Sequence, residues 1–172
     1  RRWLGPLIAV LLGLPAALPL LAPGYLDTHA YGDSPYLLLR LFELDRNIRD
    51  GALFSRWAPD FAYGYGYPFF NYYAPMPYYL AEAFHLAGLD LVGALKATGL
   101  LALVGAALTM YLLAASLWGE RAGVMASVAY TYVPFHLVNI YLRGDALGEF
   151  TAYALLPLLL WLFWRLVQGG GL

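Results

Sequence analysis

Met76-Pro77-Tyr78-Tyr79-Leu80-Ala81-Glu82-Ala83-Phe84-His85-Leu86-Ala87-Gly88-Leu89 is the stretch on which the fold turns. It is apolar and helix-like, yet only 14 residues long between Pro75 and Asp90, and it carries Glu82 and His85. A helix needs about 20 apolar residues to cross about 30 Å of hydrocarbon. The stretch is therefore expected to lie in or dip into the membrane interface, and that reading sets the side on which every later segment emerges.

Outward from it, the chain divides into charge-free runs. Trp3 to Leu26 has 24 uncharged residues, Ala97 to Gly119 has 23, Ala122 to Leu142 has 21, and Phe150 to Trp164 has 15. The last extends to Val167 if Arg165 snorkels to the interface. Of the eleven acidic residues, eight fall between Gly24 and Leu91, and so do ten of the fifteen tyrosines. The polar material is thus one long insertion after the first apolar run. Only 12% of the 172 residues are charged, against roughly 25% in soluble domains. A net charge of −1 excludes the basic footprint of a nucleic-acid binder, and the lack of cysteine excludes disulfides and thiol chemistry.

The fold expected is all-α and integral to the membrane, a single module with about four spans at 3–23, 95–117, 121–141 and 150–167. Residues 24–91 form an outer loop with juxtamembrane helices at about 34–50 and 76–89, and residues 142–149 form a second outer loop. Arg1, Arg2, Arg121 and Arg165 then share the cytoplasmic side, as the positive-inside rule requires. The protein is expected in the cell (inner) membrane with its N-terminus cytoplasmic. A cleaved signal peptide is the competing reading of the first run, but its apolar region would be about 7–15 residues, and this run is longer.

Within the insertion, Tyr36 to Ile48 places Leu37, Leu38, Leu41, Leu44 and Ile48 near one helical face, with Arg40, Glu43, Asp45 and Arg46 mostly elsewhere. Such a helix suits a membrane surface. Ser55-Arg56-Trp57-Ala58-Pro59-Asp60 is a turn. From Phe61 to Tyr79, ten of nineteen residues are aromatic, punctuated by Gly64, Gly66, Pro68, Pro75 and Pro77. Two readings stay open: an interfacial belt of wet hydroxyls, or a recognition surface whose rings stack on a ligand. Asp27 and Asp33, just beyond the first run, are each either a helix cap or a general base or metal ligand. Glu149 lies at the edge of hydrocarbon, where a carboxylate has a partner or a task; Arg143 is the natural partner. His29, His85 and His136 lack metal-ligand spacing, so no metal site is expected from the sequence.

Several motifs together carry a family resemblance: Gly32-Asp33…Arg40, Gly51, Arg56-Trp57-x-Pro59-Asp60, Gly64-Tyr65-Gly66-Tyr67-Pro68, Asn71-Tyr72-Tyr73, Pro75-x-Pro77-Tyr78-Tyr79 and Tyr141-x-Arg143-Gly144…Glu149. The chain resembles the N-terminal part of integral-membrane GT-C glycosyltransferases. It is most similar to the bacterial and archaeal membrane proteins called 6-pyruvoyl-tetrahydropterin-synthase-related. The resemblance implies a polyprenyl-phosphate sugar as substrate, its tail in the bilayer and its head at the outer face. By position, Asp33 would be catalytic, with Asp27 as second choice. Arg143, Arg56 and Arg40 would meet the substrate phosphate. Trp57, Tyr65, Tyr67 and Tyr73 would stack on sugar or isoprenoid, with Asp145 and Glu149 as further acidic groups. A divalent cation, Mg²⁺ or Mn²⁺, is compatible with it. Enzymes of this kind have many more spans, so these 172 residues alone are expected to be too few for activity, with further spans or partner subunits completing the site. The alternatives are a non-catalytic subunit of a larger membrane complex that keeps the fold and, more weakly, a transporter fragment, disfavoured because no span has a charged midpoint.

Overall fold

The structure is a computed structural model that describes residues 3–24, 34–143 and 146–169, with only the backbone of residues 34, 35, 142 and 143. The expectations placed on Asp27, Asp33 and Asp145, and on the Arg143 side chain, lie outside the described residues.

All the described secondary structure is helical apart from one isolated bridge, Ala58 with Tyr67. Three helices are long and apolar enough to cross a membrane: Leu4–Leu21, Leu91–Trp118 and Leu147–Val167. The first starts as α1 (Leu4–Gly13) and tightens into a 3-10 segment, Leu14–Leu21. Pro15 and Pro19 lack the amide hydrogens that an α-helical register would use there.

The insertion supplies three helices. In α2 (Ser34–Arg49), Leu37, Leu41 and Leu44 form a buried stripe at helical spacing. A loop leads to α3 (Phe69–Tyr72) and α4 (Met76–Leu86). Eleven residues of α4 reach ~16 Å, too short to cross the hydrocarbon. The Asp90 carboxylate then caps α5 (Leu91–Trp118) by accepting from Gly93 N at 3.0 Å. This cap starts the helix four residues before the expected span of 95–117.

The expected span over 121–141 is not one helix. It comes in three pieces: α6 (Glu120–Thr131), α7 (Pro134–Val138) and a π-helical turn, Asn139–Arg143. Pro134 has no amide hydrogen and drives Val133 out of the helical region, to ψ 126°. The 12 residues of α6 reach ~18 Å, less than the hydrocarbon thickness. Last comes α8 (Leu147–Val167), whose first turn takes in Glu149.

α5 is the central post, packed against the first span, α4, α6 and α8. Its buried face is largely small: Ala94, Thr98, Gly99, Ala102, Ala106, Ala107 and Ala114. Small residues let helix backbones approach closely where no water drives them together. The buried Tyr111 fills the gap left by two glycines: a Cβ on Gly5 would sit 2.1 Å from its hydroxyl, and one on Gly123 3.0 Å from its ring. Ser127 donates to the Ala107 carbonyl (2.7 Å), Tyr132 to Leu12 (2.9 Å) and Tyr141 to Ala16, tying the pieces of the broken run to the spans.

The ends of the bundle follow from these contacts. Leu20, Leu37, Leu95 and Leu147 line one small cavity of about 40 Å³. Hence the C-terminal end of the first span, the start of α2, the start of α5 and the start of α8 lie together. The insertion core of Leu37, Leu41, Leu44, Phe69, Phe70 and Tyr78 rests on Ala94, Leu95 and Leu147. Trp118, Glu120, Arg121 and Arg165 belong to the opposite end, where Arg165 and Ser116 share a groove.

Candidate functional site

The insertion meets the start of α8 along a groove of about 420 Å³, walled by Tyr72, Tyr73 and Ala74 on one side and by Ala146, Gly148, Glu149 and Ala152 on the other. Local sequence explains both walls. Pro68 and Pro75 bracket the single turn of α3, and the chain leaves it at Tyr73 in extended conformation. Tyr73 is braced by stacking on Phe69, ring centres 4.7 Å apart. On the other wall, α8 begins just before Glu149 and so holds it in a first turn, where backbone amides point toward negative charge.

The Glu149 carboxylate is positioned from behind. Asn139 is 1% exposed. Its side-chain amide donates to Glu149 Oε2 at 3.2 Å and to the Tyr153 hydroxyl at 2.5 Å. Tyr153 stacks on His136 with ring centres 3.9 Å apart, and Tyr130 meets His136 edge-on at 4.5 Å. Tyr130 also donates to the Tyr153 carbonyl at 3.1 Å. The break at Pro134 is what brings His136 and Asn139 round to α8, and π-helical turns of this kind concentrate at functional positions. The sequence marks His136 only by its lack of metal-ligand spacing and gives no role to Asn139 or Tyr153. The available signal was a run of polar and aromatic groups, His136, Asn139 and Tyr141, just after a proline in an apolar stretch.

The expected phosphate ligands part company. Arg40 is enclosed: its guanidinium lies 4.7 Å from the Phe69 ring centre and 4.6 Å from that of Tyr73, and it donates to the Tyr78 hydroxyl at 3.3 Å. It braces the aromatic wall from within and presents no open cation. Arg56 is exposed and lies along a separate groove of about 450 Å³ with Phe54, Phe70, Asn71 and Tyr79. The segment from Phe70 to Pro75 thus separates two grooves, one bearing Arg56 and one bearing Glu149.

The expected stacking residues also divide. Tyr73 lines the Glu149 groove, Tyr67 pairs with Tyr72 at 6.4 Å, and Tyr65 is 88% exposed at a loop tip. Trp57 lies over Gly66, where a Cβ would come within 2.3 Å of the indole ring at a φ of +81° that side chains rarely adopt. The loop is held by paired bonds between Ala58 and Tyr67, 2.8 and 2.9 Å. Ala62 and Tyr63 adopt left-handed backbone, φ 52° and 59°, a strained choice for residues with side chains.

A third polar group lies under the aromatic wall, between α2 and α4. Glu43 and Glu82 are 0% and 2% exposed, and both Glu82 oxygens lack a hydrogen-bond partner. Burial pushes the Glu82 carboxyl above its ordinary range, and the nearby Asp45 adds to the rise. Burial likewise raises Glu43, against the opposing pull of the Asp60 amide. Asp45 accepts from Arg49 at 2.6 Å. His85 Nδ1 donates to the Leu89 carbonyl at 2.7 Å, which leaves Nε2 to accept from Arg49 at 3.3 Å.

Among the described residues no three histidine or carboxylate side chains come together as metal ligands. Among the described residues, the donors around Glu149 do not by themselves fit a divalent cation.

Comparison with protein-family models, with curated proteins and with solved structures finds no match.

Proposed function

We propose that the chain is the N-terminal module of a glycosyltransferase that uses a polyprenyl-phosphate sugar at the outer face of a cell membrane. One observation carries this reading: a carboxylate, Glu149, faces the aromatic wall of Tyr72 and Tyr73 across a groove at the end of the apolar helices. Sugar rings stack on aromatic faces, and a carboxylate within reach of a hydroxyl accepts its proton during transfer. In this reading the insertion and the start of α8 face outward, and the 120–143 run makes the fourth crossing as a broken helix. Such breaks are tolerated where neighbouring helices satisfy the freed backbone groups. Asp33, on the stretch joining the first span to α2, and Arg143, just before α8, complete the set of acid and cation. Further spans or a partner subunit close the groove.

The test is transfer from a radiolabelled polyprenyl-phosphate sugar by membranes carrying the full-length gene product. Wild type is compared with Asp33→Asn and Glu149→Gln. Loss of transfer in either, at unchanged protein level, supports the reading; full transfer in both removes it.

A second reading, a non-catalytic membrane subunit, is favoured by one specific observation: Arg40 is used up in bracing the aromatic wall. In that case the wild-type membranes transfer nothing, and both variants still co-purify with the same partner chains.

A further inference from the structure

Lys96 is the only lysine in the chain. It stands in the second turn of α5, half-buried, at the bundle end that carries the insertion. Its ammonium donates to the Ala22 carbonyl, just past the first span, at 2.5 Å. An ammonium has three donors, so among the described residues two remain for another partner, and none of the ion pairs among those residues involves Lys96.

Lys96 heads an apolar groove of about 230 Å³ between the first span and α5, lined by Leu14, Ala17, Leu18, Leu21 and Leu100. From Leu21 back to Leu14, and from Lys96 on to Leu100, the lining recedes from the Ala22 end along the helices. Leu18 and Leu21 are 62% and 78% exposed, so the groove opens on the outer surface of the bundle, where hydrocarbon would surround it. A cation at the edge of hydrocarbon is costly unless it is paired. It is relieved when the side chain reaches the headgroup layer. Basic positions between membrane helices hold anionic headgroups there.

We propose that this groove holds one acyl chain of an anionic phospholipid of the surrounding bilayer, with Lys96 bonded to its phosphate. The charge requires an anion, and the lining requires an apolar chain. The groove has no lining residue in common with the Glu149 groove. The lipid proposed is a resident one and not the substrate of that groove, although Lys96 and Ala146 both line the small cavity between the two, and the proposal stands whether or not transfer occurs there.

Thermal unfolding of the full chain in detergent, followed through its five tryptophans, tests it by titration with phosphatidylglycerol. A ligand that binds only the folded state raises the midpoint. Phosphatidylglycerol is expected to raise it saturably, and phosphatidylcholine with the same chains to leave it in place. Lys96→Gln should weaken the apparent affinity for phosphatidylglycerol about fivefold, while Lys96→Arg retains it. Ala97→Phe, which fills the groove and keeps Lys96, should weaken it as well, a check that survives if Lys96→Gln fails to fold. Equal protection by phosphatidylcholine, or full protection of both Lys96→Gln and Ala97→Phe, would overturn the proposal. Protection by polyprenyl monophosphate where phosphatidylglycerol gives none would overturn it too, by assigning the groove to a substrate lipid.

Discussion

The buried amide of Asn139 donates to the Glu149 carboxylate over 3.2 Å, from a π-helical turn to the first turn of α8. Asn139 precedes, and Glu149 ends, the segment 142–149 that the sequence offers as a second outer loop. Their bond fixes where the carboxylate points in the groove.

Asn139→Leu keeps the volume and removes the donor, leaving the Glu149 and Tyr153 oxygens each short of a hydrogen bond. Losing a buried partner costs about 1–3 kcal/mol, so the unfolding midpoint in detergent should fall. If Glu149 serves transfer, kcat should fall about tenfold or more with KM little changed, since misplacement acts on the reacting geometry. Asn139→Asp should be worse than Asn139→Leu at neutral pH, because it sets a second carboxylate against the first. Equal activity in all three proteins would show that the bond positions nothing.

Arg40 makes a second prediction, about order in the insertion. Its guanidinium lies against two rings and one hydroxyl, and at 7% exposure it is well shielded from water. Arg40→Ala should destabilise the insertion by about 2–4 kcal/mol. Arg40→Lys should restore less than half of that, since an ammonium lacks the planar face that stacks on both rings. Limited proteolysis between α2 and α4 reads the effect directly: both variants should be cut faster than wild type, Arg40→Ala fastest. Cleavage at the wild-type rate would mean that the wall stands without its cation.

How much of this was legible in the sequence depends on the range of the interaction. The leucine stripe of α2 and the shortness of α4 follow from spacing and length, and Leu37, Leu41, Leu44 and the eleven-residue α4 appear as those patterns require. The break after Thr131 has its local signal in Pro134, but 21 uncharged residues give the run the hydropathy of an unbroken span in spite of one proline. Asn139, Tyr153 and Lys96 were out of reach, because each takes its meaning from a residue distant in sequence. Lys96 bonds a carbonyl 74 positions away. Arg40 misled for a related reason: a cation beside an aromatic motif reads the same whether it faces a ligand or is enclosed by that motif.

Glu82 gives a prediction about pH. Its carboxyl and that of Glu43 are both shifted upward, chiefly by burial. The folded insertion therefore binds protons more tightly than the unfolded chain, in which a glutamate titrates at about 4.3. The stabilising contribution is fully present below that value and is lost as pH rises through the raised folded values. Of the groups that face Glu82, Asp45 adds to the rise that burial causes, and His85 and Arg49 oppose it. Glu82→Gln holds the site neutral at every pH. It should be more stable than wild type at pH 7.5, with the difference shrinking toward pH 4. Hydrogen exchange over residues 34–89, measured at several pH values, checks this. Parallel pH curves for the two proteins would show that Glu82 does not titrate in that range.

The direction of the bundle yields the last prediction. The insertion and the starts of α5 and α8 share one end, while Arg121 and Arg165 lie at the other. Positive residues flanking spans are retained on the cytoplasmic side, so the insertion should face outward. The chain has no cysteine, which makes any introduced thiol the only one to label. Tyr65→Cys, at a position 88% exposed on the insertion, should react with a membrane-impermeant maleimide in intact cells. Trp118→Cys, at a position 72% exposed at the opposite end, should react only after permeabilisation. Reversal of both results would invert the orientation and place the Glu149 groove inside the cell, away from any outer-face donor. Labelling of both from outside would mean that α5, though 28 residues long, does not cross the membrane, and the four-crossing arrangement would fall with it.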